Sequence, residues 1–280
     1  MKRKLSISNT GLTLLALTCS AFGVSSAQTQ DNSCGNLSDY AALKAALITA
    51  VSTEASGLNN QMWATLVDRD GVVCAVAFSG TNRGSQWPGS RAISAQKANT
   101  ANSFSLDPGS STNGSGQANG LALSTANLYS AVQPGGSLYG LQHSNPVDPT
   151  VAYAQPSSRY GQFNDPMVGK KIGGVNVFGG GLALYSVTHQ ILGGLGVSGD
   201  TSCADHNIAW RVRNLLALDH MAANSNADVG AVGGVSGDAT RPDNIVFDID
   251  DKGVSKGGFG HPTCLNTSDA TKNPLPPVIP

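Results

Sequence analysis

Two short runs, 62–69 (MWATLVDR) and 72–78 (VVCAVAF), decide the fold. Both are rich in residues that suit a pleated, half-buried surface, and Asp70-Gly71 stands between them, the dipeptide of a two-residue hairpin turn. A second pair, 181–187 (GLALYSV) and 190–197 (QILGGLGV), turns at Thr188-His189. Two hairpins predict an antiparallel sheet.

Helical patterns flank them. Residues 38–55 place Leu43, Leu47, Ile48 and Val51 on one face behind Ser38 or Asp39 as cap, with Gly57 as stop. Residues 89–105 form a small-residue helix after Pro88, and 203–220 carry a stripe of Ile208, Val212, Leu215 and Leu216. A shorter helix is expected over 122–132. The stretch 107–120 is dense in Gly, Ser and Asn and reads as an inserted loop, 143–178 as a long connection, and 221–280 as an extension wrapped on the core.

The chain has 280 residues, 40% apolar and 12% charged, with 34 glycines and a net charge of -1. Scattered Lys and Arg give no basic stripe for phosphates, so nucleic acid is excluded as a partner. The length suits one main domain with decorations.

Lys2, Arg3 and Lys4, an apolar run over 11–24 and Ser25-Ser26-Ala27 form an export signal, 1–27, with the mature chain starting at Gln28. A lipoprotein reading at Cys19 is disfavoured by bulky Leu17 and Thr18 ahead of it. The expected location is therefore periplasmic or secreted. Cleavage leaves 14 basic against 18 acidic residues, and no later run is long enough for a membrane span.

Four cysteines then remain in an oxidising compartment. If helix 38–55 returns antiparallel over strand 62–69, Cys34 falls near Cys74, leaving Cys203 to pair with Cys264 and clamp the extension. The alternative joins Cys34 to Cys264 and Cys74 to Cys203.

Standard signatures are absent: no Gly-x-Ser-x-Gly, His-Glu-x-x-His, Cys-x-x-Cys or phosphate loop. Gly-Val-Ser-Gly-Asp recurs at 196–200 and 234–238, as chance allows in a Gly/Ser-rich chain. Asp248, Asp250, Asp251 and Gly253 lack the distal Glu of a calcium loop and read as a solvated acidic turn. The five histidines have no zinc-ligand spacing.

Val67-Asp68-Arg69-Asp70-Gly71, Ser94-x-x-Lys97-Ala98-x-Thr100-Ala101, Pro134-Gly135-Gly136, Phe178-Gly179-Gly180-Gly181 and Gly193 to Asp200 before Asp205-x-x-Ile208-Ala209 occur in that order. In this the chain resembles the GlcG/HbpS family of haem-binding and related proteins, which includes the C-terminal domain of PduO-type proteins. The resemblance covers about 38–218 and defines a domain over 28–220 with insertions near 107–120 and 143–178. It implies an α+β, profilin-like fold, with helices on an antiparallel sheet of about five strands, and a tendency to form homo-oligomers.

The resemblance also implies a small-molecule ligand, haem or a related tetrapyrrole, held without turnover. Gly179, Gly180, Gly181, Ser198 and Gly199 would let backbone approach a flat ligand, with Arg91 and Lys97 for its carboxylates and Thr100 alongside. The plain alternative is that the glycines serve close helix-on-sheet packing. With the cysteines oxidised, His206 is the first candidate for the haem iron and His143 the second; the ordinary reading of His206 is an exposed polar residue at a helix start. Two rival functions remain: an enzyme acting on a small exported metabolite through Asp68, Lys97, Ser198, Asp205 or His206, and a structural oligomer with a vestigial pocket.

Overall fold

The computed structural model describes residues 33–109, 118–267 and 274–280. The expected signal at 1–27 and residues 110–117 of the inserted loop lie outside them.

Four strands, β1 (Trp63–Asp68), β2 (Val73–Phe78), β3 (Gly181–Tyr185) and β4 (Ile191–Ser198), form one antiparallel sheet in the order β2-β1-β4-β3. Three longer helices pack on it: α1 (Tyr40–Thr53), α2 (Ser90–Phe104) and α5 (Ser202–Leu215); α3 (Leu141–Ser144) and α4 (Pro149–Ala152) are single turns in the long connection.

The first hairpin forms where the sequence puts it, but its loop has three residues. Asp68 N–H donates to Val72 O (2.9 Å), and Gly71 takes φ +79°, so Arg69-Asp70-Gly71 form the turn and the glycine supplies the left-handed position. Alternation along β1 then separates two layers. Trp63 and Val67 pack with Val76, Phe78 and Ala92, Ala95 and Ala98 of α2. Ala64 and Leu66 face the other way, with Leu182, Leu195 and Val197, onto Leu43 and Leu47 of α1 and Ile208 and Val212 of α5.

The sheet has four strands, not the five expected. Its edges are met by irregular chain that stays only briefly. Beside β2, Val73 N–H donates to Lys170 O (2.9 Å) and Gly169 N–H to Val73 O (2.8 Å); Gly169 has φ +79°, outside the extended region. Beside β3, Tyr185 N–H donates to Leu218 O (2.8 Å). The apolar run 244–249 adds no strand, since its Ile245 N–H is spent on side chains of His206 and Asn244.

The helix expected over 122–132 is instead two 3-10 turns, Thr125–Leu128 and Ser130–Val132. The Asn127 side chain accepts from Ser124 N–H and Oγ (both 2.9 Å), and Thr125 Oγ1 donates to Phe178 O (2.7 Å). Such local bonding competes with helix formation. Gly57 does not stop α1, which ends at Thr53; a Cβ there would collide with the Asp200 carboxylate, which accepts from Leu58 and Asn60 N–H.

Disulfides join Cys34 to Cys74 and Cys203 to Cys264. The second ties the extension to the first turn of α5. The extension also buries Val232 and Val278 in the main core and gives Pro276 O to Trp210 Nε1–H (2.9 Å). No helix among the described residues is long and apolar enough to cross a membrane.

Candidate functional site

Helix α2 lies very close to the sheet because β3 and β4 offer it glycine. A Cβ at Gly196 would overlap the Ser94 carbonyl, one at Gly194 would stand 3.0 Å from the carbonyl carbon of Ala98, and one at Gly181 would stand 2.5 Å from Lys97 O. That closeness carries Lys97 inward. Its Nζ donates to Asp205 Oδ2 (2.6 Å) and Val197 O (3.1 Å) and sits 4.7 Å from the centre of the Phe178 ring. Thr201 caps α5 through its side chain, which places Asp205 in the first turn, where its Oδ1 also accepts from Asp200 N–H (2.9 Å).

Gly180 opens the gap in which the pair meets. Its φ is +112°, and a Cβ there would lie 3.0 Å from Lys97 Nζ and 3.0 Å from Asp205 Cβ. Both charges are buried. Loss of water pushes the Asp205 carboxyl up to about 6 and the Lys97 ammonium down, while their mutual attraction opposes both movements.

His206 follows directly and is fully buried. Its Nε2 accepts from Ile245 N–H (3.2 Å) and lies 3.2 Å from Asn244 Oδ1, and Nδ1 has no partner among the described residues. Burial brings its pKa down to about 4, leaving a neutral imidazole.

The extension closes over this cluster. Ser202 Oγ accepts from Gly179 N–H (2.7 Å) and lies 2.7 Å from His261 Nε2. Arg213 and Asp243 form a fully buried ion pair at 2.6 Å, and Asn127 Nδ2 donates to Asn244 O (3.0 Å).

The structure thus brings together Lys97, Gly179, Gly180, Gly181 and His206. Ser198 and Gly199 end β4 close by, with Gly199 O accepting from Asn60 Nδ2 (3.0 Å). Thr100, one turn further along α2, donates to Gln96 O (2.7 Å) and accepts from Asn176 N–H (2.9 Å). Arg91 belongs to a separate cluster. It is paired with Asp165, donates to Ala152 O (2.7 Å) and lies under the Tyr160 ring at 3.7 Å. His143 is exposed on α3, lining a surface groove with Gln133 and Tyr139.

Asn244, His261 and the Arg213–Asp243 pair carry no signal in the sequence. They stand in the extension or pair with it, where no periodicity marks them.

An antiparallel sheet layered between helices, with a glycine-lined turn holding a buried Lys–Asp pair, defines an α+β domain built for close helix-on-sheet packing. Residues 37–213 match the family model of haem-degrading HbpS-like proteins, and the chain belongs to that family. No curated protein matches it. Among solved structures, it is similar to Klebsiella pneumoniae protein ORFY at 24% identity, covering 64% of this chain and 90% of that one, with a TM-score of 0.40. A PduOC:haem complex matches at 21% identity over 62% and 89% of the two chains, with a TM-score of 0.40. A double mutant of Streptomyces reticuli HbpS matches at 17% identity over 72% and 99%, with a TM-score of 0.38.

A haem does not fit the Lys97–His206 cluster as folded. The neutral ring suits an iron ligand, but its Nε2 is engaged by the extension, and Lys97 and Arg91 are each neutralised by a carboxylate of their own.

Proposed function

We propose that this protein is an exported binder of haem or a related tetrapyrrole, which it holds without turnover. Membership in a family described as haem-degrading supports haem as the ligand. His206 supports it as the iron ligand: its imidazole is neutral, and what occupies its Nε2 comes from 244–245, beyond the family-matched residues. For haem to reach Nε2, residues 244–245 must move off the ring, while Asp243 and Cys264 stay tied to Arg213 and Cys203. The expectation of no turnover rests on Lys97 and Asp205 being bonded to each other.

Soret titration of the mature chain tests it. Haem should bind with a shifted Soret band, His206→Ala should alter that band, and the spectrum of the complex should persist for hours under a reductant. An unchanged spectrum in His206→Ala removes this ligand, and bleaching with release of iron removes the claim of no turnover. Export and homo-oligomer formation belong to the same proposal; a chain recovered from cells with Met1 intact, or a monomer in light scattering, would refute each respectively.

A further inference from the structure

A cavity of about 340 Å³ stands apart from the buried cluster, lined by Trp63, Asn82, Arg83, Gly84, Pro88 and Tyr160. Its wall contains Trp63, only 1% exposed, whose indole Nε1–H has no acceptor among the described residues. Buried polar groups without partners destabilise a fold, and one carried by a residue of the cavity wall invites a partner from outside.

The charge on the rim is also unspent. Arg83 is exposed, its one hydrogen bond among the described residues is a long one to Ser157 Oγ (3.5 Å), and it has no carboxylate partner among them. Tyr160 is held firmly, because Arg91 lies 3.7 Å beneath its ring and is itself fixed by Asp165 and Ala152 O. Trp87, Tyr153 and Phe163, on the two segments that frame the cavity, are 53, 63 and 74% exposed. Aromatic walls, one free guanidinium and an orphaned N–H together recognise a flat, anionic molecule bearing an acceptor oxygen.

We propose that this pocket binds a small planar aromatic carboxylate, its ring against Tyr160 and Trp63, its carboxylate on Arg83 and an oxygen accepting from Trp63 Nε1–H. The volume holds one or two rings and not a four-ring macrocycle, so the site is independent of the haem reading.

The test is titration of the full mature chain, labelled with nitrogen-15, with 4-hydroxybenzoate. The Trp63 indole N–H resonance should shift saturably, and Arg83→Gln, a change at an exposed residue, should weaken binding about ten- to a hundredfold. The neutral amide, 4-hydroxybenzamide, should bind wild type and variant equally weakly. No saturable shift at Trp63, or equal affinity for the carboxylate in Arg83→Gln, overturns the proposal.

Discussion

Lys97 Nζ meets Asp205 Oδ2 at 2.6 Å although the two residues stand on helices packed against opposite faces of the sheet. They meet because Gly180, just before β3, has no side chain to separate them. Removing one partner strands the other charge in a buried site. Lys97→Met and Asp205→Asn should therefore each destabilise the fold by about 3–5 kcal/mol, and Lys97→Met/Asp205→Leu should recover much of that loss. Urea denaturation decides it; single variants within about 1 kcal/mol of wild type would show that the pair is not coupled.

Close approach of α2 gives a second expectation. Gly196→Ala places a methyl group against the Ser94 carbonyl and must lift the helix, costing about 3 kcal/mol. Gly135→Ala meets nothing within 4 Å and bears only the strain of φ +86°, so it should cost less. A thermal melt in which the two variants fall equally would refute packing as the reason for Gly196.

The buried neutral state of His206 predicts an acid weakness. Its pKa falls from 6.5 unfolded to about 4 folded, so its contribution is complete above pH 6.5 and is lost as pH drops toward 4, about 3 kcal/mol in all. Asp205, raised to about 6, acts in the opposite sense between pH 4 and 6, and does so in wild type and variant alike. The difference in stability between wild type and His206→Gln, followed from pH 7 to 4, should shrink steadily. A difference independent of pH would mean that the imidazole titrates normally.

The Cys203–Cys264 bridge closes a loop of sequence separation 61 and anchors the segment over His206. Cys203→Ala/Cys264→Ala should lose about 4 kcal/mol in the chain-entropy account. Hydrogen exchange should speed up first at Ile245 and His261, whose amides bond to His206 Nε2 and Val246 O. Unchanged protection there would show that the segment is held by its other contacts.

The hairpins and the three long helices are legible in local patterns of the chain. Asp70-Gly71, the Asp39 cap and the Ile208/Val212 stripe act within a few residues of themselves, through turn geometry, capping and periodic burial. Lys97 and the 179–181 turn are candidate site residues through the resemblance, whose motifs are local too. Which carboxylate each buried cation meets depends on how distant segments pack. Arg91 finds Asp165 74 residues away, Lys97 finds Asp205 across 108, and Arg213 finds Asp243 across 30. Packing likewise brings Asn244 and His261 over α5, turns Thr125 to Phe178 O instead of continuing a helix, and borders the sheet with irregular chain in place of a fifth strand. Local signals cannot carry such information, because a buried polar group takes whichever partner packing brings to it, and packing is a property of the whole chain.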